Sequence, residues 1–176
     1  QVEAGAKLLA IDGTDIGLSI RQTEALIHQA DAQIAAEEEG IRLALAEANT
    51  EEQTLWRQIE ASEAARKSAS AEWLRAEADW KRAQRLLPRG AMAQSDFDAL
   101  KAAAASAREG LSSAERALDA ACVGARAEDR QKLSRTGSAE GMRLDAVVNA
   151  RQAAENRRIS LESLKAGREA SAAALE

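Results

Sequence analysis

From Asp15 onward the apolar positions of this chain recur at intervals of three and four residues. Ile20, Ile27, Ile34 and Ile41 fall seven apart, with Ile16, Thr23, Ala30 and Glu37 on the complementary column. Such a heptad seam predicts a helix packed lengthwise against another helix. Gly40 and the stretch from Ala46 to Gln53 interrupt it. There Thr50 with Gln53 fits a capping box, predicting that a new helix starts. That second helix is expected from about Thr50 to Leu87, with Ile59, Arg66, Trp73, Trp80 and Leu87 on one column. Its other column is Leu55, Ser62, Ala69, Ala76 and Ala83, small enough for a partner helix to approach closely.

Pro88 and Gly90 end this pattern, because proline cannot continue a helix and glycine accepts a left-handed turn. A third helix is expected from an N-cap at Ser95, with Asp96 and Asp98 near the positive end of its dipole. Phe97, Ala104, Leu111 and Leu118 form one of its columns; Leu100, Ala107, Ala114 and Ala121 form the other. Val123-Gly124 should end it after about 28 residues, at the spacing of the sequence. The short connection makes helices two and three antiparallel neighbours, with Trp73 and Trp80 against the alanines of the third. Near-equal distances from the turn to the breaks near 49 and 124 favour helices one and two stacking end to end. Helix is expected again from Ala125 and, after the glycines at 137 and 141, from about Met142 to Leu164. Val147, Ala154 and Leu161 lie on that seam, and Gly167 is placed to end it. The segment 1–12 differs: a glycine turn and the apolar run Leu8 to Ile11 read as a turn and short strand.

Composition narrows the picture further. Of 176 residues, 43 are alanine, one is proline and four are aromatic (Trp56, Trp73, Trp80 and Phe97), while 30% are charged. Long, closely packed helices have this profile, and ordinary enzyme cores do not. The formal net charge of −5 and the absence of a basic patch with aromatics give no nucleic-acid footprint. His28 is the sole histidine and reads as a solvated helix-surface residue. Glu37, Glu38 and Glu39 read as a solvated face, since hard-cation sites need oxygens converging from several directions. Cys122 can make no intrachain disulfide and reads as a small buried apolar group. No catalytic, metal or cofactor site is expected. The chain lacks an initiating methionine, and residues 172–176 match what a common expression vector leaves before a histidine tag. It is therefore read as a cut-out fragment, with 166–176 as a tail.

Three segments carry a family resemblance. Residues 2–12, VEAGAKLLAID, resemble the first half of a lipoyl-like (barrel-sandwich) motif. Residues 82–103, RAQRLLPRGAMAQSDFDALKAA, resemble the hairpin tip of the periplasmic adaptors, or membrane fusion proteins, of bacterial tripartite exporters. That family's tip follows an Arg-x3-Leu-x6-Ser pattern and then an acidic-aromatic-Asp helix start. Arg82 and Leu86 match it, Ala93 stands where serine is usual, and Ser95 to Asp98 supply the start. Residues 123–131, VGARAEDRQ, are similar to a junction in the HlyD-like adaptors that work with ABC transporters.

The resemblance implies an all-α chain: a long antiparallel coiled-coil hairpin over 13–165, with its tip near 88–94 and half a lipoyl-like motif at 1–12. It implies a non-catalytic periplasmic role, bridging an inner-membrane transporter, of the ABC type, and an outer-membrane TolC-like channel. The full-length protein would be anchored to the inner membrane and assemble as a homo-oligomer, usually a hexamer. Arg82, Leu86, Arg89, Gly90 and Ala93 would form the channel-docking tip. Ile27, Ile34, Trp73, Trp80, Leu87, Phe97, Leu100, Leu111 and Leu118 would form the seam. The other reading is a purely structural coiled-coil stalk with no export role.

Overall fold

A computed structural model describes residues 13–175, of which 88% are helical. The lipoyl-like reading of 1–12 lies outside the described residues. Helix α1 is Thr14–Leu86, 73 residues long, and a single 3-10 turn, Leu87–Arg89, follows it. Then come α2 (Gln94–Ala121), α3 (Ala127–Thr136) and α4 (Asp145–Ala173). Among the described residues the one strand-like pairing is an isolated antiparallel bridge between Ala125 and Leu144. The chain is all-α.

The expected break near Thr50 does not occur: α1 runs straight through it. No proline interrupts the helix before Pro88, and a glycine inside a helix costs only about 1 kcal/mol. Thr50 and Gln53 are interior helical residues, and the Thr54 hydroxyl donates back to the Thr50 carbonyl at 2.9 Å. What changes at this point is the phase of the seam. Buried and half-buried positions run 37, 41, 44, 48, 52, 55, 59, with two four-residue steps in succession. The Ile20 column continues in step through Ala48 and Leu55, while the complementary column moves by one residue between Ala44 and Ile59. A four-residue insertion of this kind locally unwinds a heptad pattern without ending the helix.

The chain divides into two compact units. One joins α1 up to Ala46 with α4 from Arg151. Ile41, Ala154 and Leu161 are its buried residues, and Ile27 and Ile34 are half-buried. Lys165 pairs with Glu38 and Arg168 with Asp31, each at 2.9 Å, so the two helices run antiparallel. Ile16 and Ile20, expected on the seam, are exposed. Only five residues of α4 lie beyond Arg168, too few to reach back over the first turns of α1. Helix α4 also continues through Gly167 to Ala173, so the tail expected from 166 is largely helical. Nothing in the backbone there demands a stop, and the Ser171 hydroxyl donates to the Gly167 carbonyl within the helix.

The second unit, Glu47–Ala150, holds the main core: Ile59, Cys122, Leu133, Ala139, Met142, Leu144 and Val147. Two α1 side chains one turn apart fasten the α3–α4 connection over it. The Trp56 indole N–H donates to the Met142 carbonyl at 3.1 Å. The Glu60 carboxylate accepts from the Ala139 N–H at 2.8 Å and the Ser138 hydroxyl at 3.0 Å. These bonds satisfy polar backbone that a buried loop would otherwise leave unpaired.

Glycine requirements differ sharply along the chain. Gly124 has φ +78°, and a Cβ there would meet the Asp145 Cβ at 3.2 Å. Gly124→Ala is expected to cost at least about 1–2 kcal/mol, the left-handed penalty alone. Gly40 lies inside α1, where a Cβ would meet only Arg157 Nη1 at an ordinary 3.7 Å. Gly40→Ala should therefore stabilise by about 0.5–1 kcal/mol. Chemical denaturation of the two variants checks both signs.

Candidate docking tip

Helix α1 ends at Leu86 because Pro88, in the 3-10 turn, has no N–H to continue the ladder. The chain then reverses through Gly90, whose φ of +67° suits glycine. The Gly90 N–H donates to the Leu87 carbonyl at 3.0 Å, and the Ala91 N–H to the Leu86 carbonyl at 3.2 Å. Ala93 is extended and occupies the N-cap of α2, with no side-chain cap. Ser95, expected at that cap, lies inside the first turn. The helix begins one residue before it, at Gln94, whose amide donates to the Asp98 carboxylate at 3.1 Å.

Arg82, Arg89, Gly90 and Ala93 are exposed, while Leu86 is half-buried rather than fully exposed. Leu87, Met92 and Phe97 are half-buried as well, so the apolar residues at the tip are only partly covered. Arg82 meets Asp79 one turn back at 3.3 Å, with two-thirds of its side chain in solvent. A pair this exposed contributes little to stability and leaves the guanidinium available. Arg82 and Arg85 approach the turn along α1, Arg89 lies in the turn itself, and Asp96 and Asp98 leave it along α2.

Behind the tip, Ala83 and Ala104 are buried, while Trp73, Trp80, Leu100, Leu111 and Leu118 are half-buried. The other seam alanines, Ala69, Ala76, Ala107 and Ala114, are half-buried like the larger side chains, because two helices leave one flank of the seam open. Trp73 and Trp80 line one groove together with Ala104 and Ala105 of α2.

Further along α1 sits a polar group that the heptad pattern did not flag. Glu63 is 1% exposed and accepts both arms of the Arg66 fork, at 2.8 and 2.9 Å, with Lys67 Nζ at 3.4 Å. Hydrogen bonding from Arg66 holds the Glu63 carboxyl below its usual range, against the opposing effect of burial. A carboxyl depressed in the folded state contributes stability above its unfolded pKa, near 4.3, and loses it as pH falls through the folded value. Stability should therefore decline from about pH 4 downward, and Glu63→Gln should flatten that decline. Thermal melts of both proteins across this range measure it. Burial pushes the neighbouring Cys122 thiol up.

The other residues weighed for chemistry lie apart. His28 is exposed on α1. Glu38 is engaged by Lys165, and Glu39 by Arg42. Among the described residues no three His, Cys, Asp or Glu side chains are placed to hold a metal ion. No helix among them is long and apolar enough to cross a membrane. No family model, curated protein or solved structure matches the chain.

Proposed function

We propose that the chain is the helical part of a non-catalytic periplasmic adaptor, the kind that links an inner-membrane transporter to an outer-membrane channel. In this reading the last forty or so residues of α1 and the whole of α2 act as an antiparallel coiled-coil hairpin. Residues 1–12 supply half of a lipoyl-like domain, and the full protein is anchored to the inner membrane and works as a homo-oligomer beside an ABC-type transporter. The turn at 87–93 docks on the channel.

One observation carries the reading. The segment with the Arg-x3-Leu pattern coincides with an exposed turn between two long helices, where Arg82 and Arg89 are solvated and Leu86 is only partly covered. A partly exposed apolar anchor ringed by charge is the composition of a docking patch. Rigid helices behind it fix its position, so little ordering entropy is lost on contact. A stalk without a docking role has no use for three arginines and a partly covered leucine at its turn.

Photo-crosslinking in the cell envelope tests this. A crosslinking residue at position 89 of the full-length protein should yield an adduct with an outer-membrane channel, and one at exposed position 116 on α2 should not. Adducts absent from position 89, or equal from both positions, would favour the structural stalk.

A further inference from the structure

The groove between α1 and α2 has chemistry that the tip does not use. It is open, about 660 Å³ in volume, within the roughly 300–1,000 Å³ typical of small-molecule sites. Trp73 and Trp80 stand seven residues, about 10 Å, apart along its α1 wall. Ala104 and Ala105 on the α2 wall are too small to fill the space between the helices. The Trp80 Nε1–H is shut off from solvent and has no hydrogen-bond partner. A buried N–H without an acceptor is costly, and native structures rarely leave one unexplained.

Charge supplies the second observation. Lys101 and Arg108 both line the groove and form no ion pair among the described residues. Of the two carboxylates there, Glu77 is taken by Lys81 at 3.1 Å, leaving Glu109. Two unpaired cations therefore face one unpaired carboxylate beside two half-covered indoles.

We propose that this groove binds a carboxylate carrying an apolar tail. The indole faces and alanines cover the tail, while Lys101 and Arg108 draw the carboxylate. The Trp80 N–H gains the acceptor it lacks as its ring turns toward the ligand. This proposal does not depend on the export reading. A helix from a second copy could cover the same apolar walls, and sedimentation with and without ligand distinguishes that occupant.

The test uses the full chain with decanoate and its uncharged counterpart 1-decanol, read by tryptophan emission and calorimetry. Trp56, bonded to Met142 in the core, serves as an unchanging reference. Decanoate is expected to bind saturably and at least about fourfold more tightly than decanol. Each exposed cation adds about a two- to fivefold gain. Raising ionic strength should weaken decanoate and leave decanol unchanged, a readout that needs no variant. Lys101→Gln with Arg108→Gln should bring decanoate to the decanol level, and Trp80→Phe should weaken decanoate more than decanol, since a charged acceptor gains more from the N–H, with helicity unaltered. Absence of saturation, or equal affinities and no salt effect in the unaltered chain, would overturn the proposal. So would sedimentation showing that the ligand acts only by dissociating a dimer.

Discussion

Leu133→Ala is expected to destabilise the Glu47–Ala150 unit by about 2–5 kcal/mol, the range for large-to-small changes in a closed core. Leu133 is 2% exposed and lies within the cluster of Ile59, Cys122, Met142, Leu144 and Val147. Its helix, α3, is only ten residues long, too short to be stable alone, so packing of that side chain holds it in place. Loss of the leucine should also loosen the loop that follows, because Gly137 closes the helix by donating to the Leu133 carbonyl at 2.7 Å. Leu111→Ala, at a half-buried seam position on α2, should cost clearly less. Urea unfolding followed by far-UV ellipticity compares them. Equal costs would mean that the seam and this core contribute alike, against the difference in burial.

That contrast marks what the sequence could and could not convey. Heptad spacing made the helices legible because a period near 3.5 is a property of single residues along one strand of sequence. Proline and glycine located the turn at Pro88 and Gly90 and the end of α2 near Gly124, and the spacing located the buried stripe Val147, Ala154 and Leu161 on α4. It failed at Thr50, where a shift in seam phase has the same local look as a helix end. Capping residues compete with the helix only weakly, and an uninterrupted hydrogen-bond ladder outweighs them when no proline intervenes.

The compact core around Ile59 was not legible at all. Its elements come from residues 55–63, 118–125 and 133–147, brought together by packing that no spacing rule encodes. The two glycines at 137 and 141 read as an interruption of a helix. In the structure they bracket Ala139, wholly buried, whose N–H is held by Glu60 from 79 residues away. A buried glutamate such as Glu63 has the same sequence signature as a solvated one, since its Arg66 and Lys67 partners are those of any charged helix face. At the tip the docking reading expects both Arg82 and Leu86 to be exposed. Arg82 is exposed, whereas Leu86 is half-covered because it packs at the end of the hairpin seam.

Arg82→Asp and Leu86→Asp, each introduced into the full-length protein, are expected to abolish transport of its cargo. Arg82 has two-thirds of its side chain in solvent and only an exposed partner, so reversing its charge costs the isolated fold about 1 kcal/mol, from lost helix propensity and the like charge of Asp79. In a docked interface, a like charge facing a carboxylate or an unpaired buried aspartate costs about 2–5 kcal/mol, enough to empty the complex. Leu86 is the sharper probe because it is half-buried. If it anchors the channel, Leu86→Asp should remove transport while the melting temperature falls only slightly. If it mainly closes the hairpin against its own neighbours, the same substitution should lower the melting temperature by several degrees, about the effect of 1 kcal/mol or more in a unit of this size. Arg82→Asp would then leave transport unchanged. Transport and melting measured on the same two variants therefore separate a docking leucine from a merely structural one, and normal transport by both would remove the docking role.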